Sequence, residues 1–175
     1  MRHDDKLTIE SFKNGINALT VQDKGNAEIR ATIKLRETRP FVAKEQGFMV
    51  PKLSIFNRII GDSGFELEFA AFLDGCQGEI VSFAKNYFAV GFKLDYVNAD
   101  GDISNYFPDF LVKVSSKEIY VIETKGQEDL DAPLKMARLK QWCDDINQAQ
   151  QAVRYGFVFV DAEGFKKYQP KSFAD

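Results

Sequence analysis

The sequence predicts an α/β protein in which helices cover both faces of a mixed β-sheet. Segments with helical periodicity precede and follow a run of short apolar strands between residues 63 and 175. The two strands on either side of Ser115–Lys117 are apolar on both faces, and a sheet buried on both sides needs a layer of helices on each. With 16 Phe and 6 Tyr among 175 residues, the chain can fill such a core.

The first sixty residues predict an accessory segment packed on the main core. Residues 6–19 carry apolar side chains at helical spacing. Residues 27–35 alternate between apolar and polar without exception, which predicts a half-buried strand. Residues 38–52 then form a connection. We therefore divide the chain into a linking segment, 1–60, and a core, 61–175.

The core opens with a helix and continues with strands. Ser63 suits the N-cap of a helix that ends near Gly75. Strands follow over residues 79–84 and 90–97, and the run Asn98–Gly101 is a turn.

A hairpin, a long helix and a last strand complete the core. The hairpin strands cover residues 106–114 and 118–123. The helix covers 132–151, with Pro133 in its first turn. An apolar strand over 155–160 leads to Asp161, which suits the N-cap of a short final helix.

The scarce residue types exclude several kinds of chemistry. His3 is the one histidine, and it stands in a polar leader, so we expect neither histidine-based catalysis nor a histidine zinc site. Cys76 and Cys143 are 67 positions apart, which predicts reduced core thiols in a cytoplasmic protein. The sequence has no apolar run of 18 residues, no signal-peptide pattern and no phosphate-binding loop of an ATP motor. Carboxylates and lysines remain as catalytic groups.

The charge is unevenly distributed. Residues 1–60 carry 11 Lys and Arg against 7 Asp and Glu, whereas residues 61–175 carry 12 against 19, for a net charge of −3. A nucleic-acid-binding surface is normally basic, so this balance argues against tight independent binding of DNA or RNA.

Two acids and a lysine interrupt the apolar hairpin. If its turn centres on Ser116, residues whose numbers sum to 232 face each other, and Asp109 and Glu123 satisfy that sum. Directly opposed residues have Cβ atoms about 4.5–5.5 Å apart. Lys125 follows Glu123 by two positions and so projects from the same face.

This spacing allows two interpretations. Two close carboxylates repel each other, and a shared Mg²⁺ would relieve that cost while a lysine positions a water or offsets phosphate charge. A structural salt-bridge network would use the same three residues, and spacing alone favours it. The context of Pro108, the apolar approach to Glu123, and Gly126 favours a catalytic site.

At these residues the sequence resembles the PD-(D/E)xK nuclease superfamily. The signature is Pro108-Asp109 followed, after thirteen residues, by Glu123-Thr124-Lys125-Gly126. The resemblance covers about residues 50–170 and is closest to the C-terminal nuclease domain of type III restriction enzyme restriction subunits. It also rests on the stretches around Gly61–Glu66, Phe83–Asn86, Tyr106–Phe110, Lys135 and Trp142-Cys143. It implies a restriction-endonuclease-like αβββαβ core.

The resemblance also implies roles for individual residues. Asp109 and Glu123 would bind Mg²⁺, for which Mn²⁺ could substitute, and Lys125 would contact the attacking water or the scissile phosphate. Glu66 would be a further catalytic acid and metal ligand from the first helix, with Glu68 as the fallback.

Three further residues would contact DNA: Lys85, Asn86 and Lys135. For Glu66, Lys85 and Asn86, ordinary structural roles stay equally open, and for Lys135 a solvated helix lysine is the commoner outcome.

The function that follows from the resemblance is Mg²⁺-dependent cleavage of double-stranded DNA. In a type III system the nuclease works with a helicase/ATPase motor and a methyltransferase subunit. The resemblance implies a cytoplasmic location and no membrane partner. The chain would be an excised domain or a stand-alone relative. The alternatives are a non-catalytic DNA- or partner-docking domain of the same fold, and a repair or transposition nuclease.

Overall fold

The computed structural model describes residues 27–42, 47–125 and 130–175. The helix expected over residues 6–19 lies outside these residues, and so does His3. The described residues form three α-helices: α1 (Gly64–Gly75), α2 (Ala132–Ala149) and α3 (Ala162–Tyr168). Their strands are β1 (Phe48–Met49), β2 (Ile59–Ile60), β3 (Ser82–Lys85), β4 (Leu94–Val97), β5 (Ile103–Tyr106), β6 (Phe110–Ser115), β7 (Glu118–Lys125) and β8 (Arg154–Asp161). None of the helices in this part of the chain is both long and apolar enough to cross a bilayer.

A mixed sheet with strand order β3–β6–β7–β8 forms the centre of the molecule. The pairs β3–β6 and β6–β7 are antiparallel, whereas β7 and β8 are parallel and joined through α2. Two small antiparallel ladders, β1–β2 and β4–β5, lie outside this sheet.

Helices cover the central sheet on both faces, as predicted. On one face, Phe69 and Leu73 of α1 pack against Phe110 and Ile122 of the sheet, together with Phe165 of α3. On the other face, a second cluster joins α2 and the β4–β5 hairpin to β6, β7 and β8. Its members include Leu94, Tyr106, Leu111, Val121, Leu139, Cys143 and Phe157. The two free cysteines are buried, one in each cluster.

The ends of the helices follow the predicted caps. The Ser63 hydroxyl accepts a hydrogen bond from the backbone N–H of Glu66 at 3.1 Å, and α1 ends at Gly75. Pro133 lies in the first turn of α2. The Asp161 carboxylate accepts from the N–H of Gly164 at 2.7 Å and starts α3.

The predicted hairpin register is confirmed. Four consecutive pairs, from Phe110↔Ile122 to Lys113↔Ile119, have numbers that sum to 232. A bulge then shifts the register, so that Ser115 faces Glu118 next to the turn.

The strand predicted over residues 27–35 is wrong. Residues 27–34 are extended without a ladder partner in the described part of the chain, and a short 3₁₀ turn follows at Leu35–Glu37. Ile29 and Ile33 are 47% and 43% exposed, so the alternating side chains line an open cleft beside α2 and β4. Alternation shows which side chains share a face, but a strand also needs a ladder partner, and none is formed here among the described residues.

Three other strands differ from their predicted bounds. The segment 106–114 is divided between β5 and β6, because the chain leaves the ladder at Pro108, which has no N–H to donate. Residues 90–97 contribute strand only from Leu94, after a 3₁₀ turn and Gly91 at φ 77°. The strand expected over 79–84 begins at Ser82. In addition, the connection expected over 38–52 contains the two residues of β1.

Candidate functional site

The candidate site lies where the β6–β7 hairpin opens, next to the end of β3 and the start of α1. Phe110 pairs with both Lys85 and Ile122, so three strands meet at this level of the sheet. Asp109 immediately precedes Phe110, just outside β6, and Glu123 immediately follows Ile122 within β7. The backbone therefore brings β3, β6 and β7 together at the two predicted acids.

Asp109 is held on both carboxylate oxygens. Its Oδ2 accepts hydrogen bonds from the backbone N–H of Thr124 at 2.8 Å and from the Thr124 hydroxyl at 2.6 Å. Its Oδ1 lies 3.5 Å from the Nζ of Lys85. Thr124 therefore fixes the carboxylate on one side and leaves Oδ1 directed towards a cation.

Lys85 is the buried cation of the site. Its residue exposure is 3%, and its Nζ lies 2.5 Å from Glu66 Oε2 and 3.5 Å from Asp62 Oδ2, in addition to the contact with Asp109. Burial by itself would lower the pKa of Lys85, but the charges of Asp109, Glu66 and Asp62 outweigh it, so the pKa is raised and the ammonium stays charged.

Glu66, rather than Glu68, is the helix acid of the site. Glu66 is buried, and its Oε2 also accepts the N–H of Asp62 at 3.0 Å, whereas Glu68 lies exposed on the other side of α1. The Ser63 cap and the Glu66–Asp62 bond fix the first turn of α1 around Lys85.

Glu123 forms a second polar contact of the site, with Tyr106. The Tyr106 hydroxyl donates to Glu123 Oε2 at 3.0 Å. Burial and then the nearby Asp109 charge raise the pKa of Glu123 to about 8, against the opposing influence of Tyr106, Lys135 and Lys85. Burial and Glu123 raise the pKa of Tyr106, which therefore remains a donor. Without a further cation, the two carboxylates repel each other.

The two remaining predicted lysines approach Glu123 from different elements. Lys125 ends β7, two positions beyond Glu123 and on the same side by strand alternation. Lys135, in the first turns of α2, is close enough for its charge to lower the pKa of Glu123. Both lysines can supply positive charge on the α2 side of the sheet.

Asn86 has a structural role at the site. Its Nδ2 donates to the carbonyls of Phe92 at 2.9 Å and Pro108 at 2.8 Å, and its backbone N–H donates to the carbonyl of Asp109 at 2.7 Å. These bonds hold the Pro108–Asp109 segment against β3. Because Asn86 and Lys85 are both buried, they offer little surface to a DNA backbone.

The carboxylate pair fits a magnesium ion that keeps several waters. No group of three or more His, Cys, Asp and Glu side chains suited to a metal occurs among the described residues. Mg²⁺, however, commonly uses one or two carboxylates and completes its shell with water and substrate oxygens. Within the same residues, Glu123 accepts a protein hydrogen bond on Oε2 alone, which leaves Oε1 available, while Asp109 Oδ1 faces Lys85 Nζ at 3.5 Å.

Sequence reasoning identified the acids but missed three of their partners. Tyr106 falls within a predicted strand, Thr124 is the unspecified position of the signature, and Asp62 has no predicted role. The burial of Lys85 was predictable from strand alternation, because Lys85 is two positions from the buried Phe83 in β3 and so lies on the same face. The positions of Tyr106 and Thr124 depend on the break at Pro108, which alternation does not reveal.

Comparisons with protein-family models, curated proteins and solved structures found no significant match for this chain.

Proposed function

We propose that this protein is a Mg²⁺-dependent DNA endonuclease with a restriction-endonuclease-like core, in which Asp109 and Glu123 are the metal ligands. The observation that carries the proposal is the β6–β7 register, which brings these two acids to neighbouring places at the open end of an otherwise apolar hairpin. An isolated pair of close carboxylates is costly, and a divalent cation removes that cost.

The order of elements supports the same proposal. Without the β4–β5 hairpin, the core reads α1, β3, β6, β7, α2, β8, which is the αβββαβ order that the sequence resemblance implies. Asp109 immediately precedes β6, and Glu123 and Lys125 lie in the last three residues of β7, an arrangement that agrees with the signature.

The chain's own residues would orient the reaction. Thr124 holds Asp109, Tyr106 holds Glu123, and Lys125 offsets charge on the scissile phosphate or positions the attacking water. When bound, Mg²⁺ supplies Lewis-acid polarisation and lowers the pKa of a bound water. Water adds to phosphorus and the bond to the 3′ oxygen breaks, which gives a 5′-phosphate and a 3′-hydroxyl after proton transfer.

We infer that the DNA is delivered by other components. The acidic balance of residues 61–175 disfavours independent capture of DNA, since non-specific affinity comes from phosphate contacts with Lys and Arg. A type III restriction system in the cytoplasm, with an ATP-dependent helicase motor and a methyltransferase subunit, would supply the double-stranded substrate.

Plasmid nicking in Mg²⁺ tests the proposal. We expect Asp109→Asn, Glu123→Gln and Lys125→Ala each to reduce the rate by about 10²-fold or more, because each removes charge from the reacting centre. Glu118→Gln and Lys117→Ala, at the opposite end of the same hairpin, are matched controls and should cleave like the parent protein. Equal cleavage by Asp109→Asn and the parent protein would contradict the site assignment.

A non-catalytic docking domain is the second candidate. The observation that favours it is the ion-pair network, in which Lys85 already compensates Glu66 and Asp109 without any metal. In that case Mn²⁺ would not bind to the Asp109–Glu123 pair, and no DNA would be cleaved. If cleavage does occur, branched against linear DNA substrates would distinguish a repair or transposition nuclease from a restriction nuclease.

A further inference from the structure

Lys85 forms two unequal kinds of contact with the acids around it. Its Nζ is 2.5 Å from Glu66 but 3.5 Å from Asp109 Oδ1, and the ring of Phe110 lies below it with the centroid 5.5 Å away. The strong partner is thus on α1, and the weak partner is the proposed metal ligand.

The weak contact occupies the one Asp109 oxygen that Thr124 leaves open. Oδ2 is held by two donors of Thr124, whereas Lys85 is the only cation in contact with Oδ1 among the described residues. A divalent cation on Oδ1 would face this ammonium at short range, and like charges at such distances oppose each other's binding.

We propose that Lys85 is the resident counter-ion of the site: it neutralises Asp109 while no divalent cation is bound, and Glu66 retains it when a cation takes Asp109. Lys85 is then a positioning residue whose charge sets the metal affinity. Glu66 acts through Lys85 and is not itself a metal ligand. This inference rests on the proposed metal-dependent function.

The arrangement explains why an acid is buried on α1 at this point. If Glu66 were absent, Lys85 would be free to pair fully with Asp109 and would compete more strongly with the metal. Asp62 contributes less, because its side chain is 75% exposed and its charge is screened by solvent.

Binding of Mn²⁺ alone, measured by calorimetry and by the loss of the free-ion paramagnetic resonance signal, tests the inference on the full chain. We expect Lys85→Met to bind Mn²⁺ about tenfold more tightly than the parent protein. Addition of Mn²⁺ should also raise the melting temperature of this variant more than that of the parent protein. Glu66→Gln should bind about tenfold more weakly. Lys117→Met is the matched control for removal of a lysine and should leave the affinity unchanged.

The double variant separates the two roles open to Glu66. If Glu66 acts only through Lys85, then Lys85→Met combined with Glu66→Gln will bind Mn²⁺ as tightly as Lys85→Met alone. If Glu66 is a ligand, the double variant will bind more weakly than Lys85→Met, and the inference is overturned.

The remaining outcomes are also decisive. Unchanged or weaker binding by a folded Lys85→Met overturns the inference but leaves the proposed function intact, provided that Asp109→Asn abolishes binding in the parent background. A complete absence of Mn²⁺ binding by the parent protein overturns both the inference and the proposed function.

If Lys85→Met is unfolded without metal, folding induced by Mn²⁺ supports the inference. If it stays unfolded with Mn²⁺, the Glu66→Gln titration decides, and unchanged or tighter binding by that variant overturns the inference.

Discussion

At the scale of single residues, the site combines acids in two different electrostatic situations. Asp109 and Glu66 contact the buried ammonium of Lys85, whereas Glu123 accepts a hydrogen bond from the Tyr106 hydroxyl and forms no ion pair with another described residue. The difference arises because β3 and α1 supply the cation on one side of the sheet, and Glu123 belongs to the other side. Glu123 is therefore the acid whose protonation should respond most to the absence of metal.

The pH dependence of stability should reveal the ionisation of Glu123. The pKa of Glu123 is near 4.5 in the unfolded chain and about 8 in the folded, metal-free protein. A raised acid pKa stabilises the folded state at low pH, and this contribution is lost as the pH rises from about 4.5 to about 8. We expect urea unfolding in the presence of a chelator to show a loss on the order of 4 kcal/mol across this range.

The variant Glu123→Gln should lack most of that decline, because it cannot ionise at the same place. Glu118→Gln, on the same strand, should keep the decline of the parent protein. If the Glu123→Gln profile is as steep as that of the parent, another group is responsible for the pH dependence.

At the scale of secondary-structure elements, β7 and β8 depend on a close approach that glycine allows. A Cβ placed on Gly156 would lie 2.6 Å from the ring of Tyr120, which is opposite it in the parallel pair. Tyr120 cannot move away easily, because its ring packs on Phe173 and its hydroxyl donates to Glu118.

We therefore expect Gly156→Ala to lower the free energy of unfolding by about 1–3 kcal/mol through overpacking. Gly64→Ala, where no atom lies within 4 Å of the new Cβ, should change it by less than about 0.5 kcal/mol. Chemical denaturation of both variants measures the difference. Stability equal to that of the parent in Gly156→Ala would mean that the two strands can separate slightly without cost.

Elements were predictable from the sequence where a local signal coincided with burial. The hairpin register followed from a short turn and from apolar side chains on both strands, and the caps at Ser63 and Asp161 are encoded within four residues. Residues 27–35 had an equally regular pattern, yet they pair with no strand in the described part of the chain. The contact between Glu66 and Lys85 joins α1 to β3, and a long-range contact of this kind is not written in any local pattern.

At the scale of the whole molecule, the central sheet separates two hydrophobic clusters. Cys76 belongs to the cluster under α1, and Cys143 to the cluster under α2. Both thiols are free and buried, and burial raises the pKa of Cys143 to about 12. The protein thus carries one thiol reporter on each side of its sheet.

We expect both thiols to resist labelling at pH 8 in the native protein and to become reactive at the same urea concentration. The reason is that both clusters pack on β6, β7 and β8, so that neither can be lost while these strands remain intact. Mass spectrometry after pulsed alkylation distinguishes the two sites. Labelling of one cysteine at a clearly lower urea concentration would show that the two faces unfold separately.

The bulge between Lys113 and Ser115 has a consequence for tolerance to sequence change. It lies between the turn and the four regular pairs, so a change in the length or geometry of the turn can be absorbed before it reaches Phe110 and Ile122. A slip of one residue beyond the bulge would exchange the inner and outer faces of a whole apolar strand. The apolar side chains of the hairpin thus preserve the alignment of Asp109 with Glu123. The turn at the far end of the hairpin can therefore vary in length and sequence without disturbing the site.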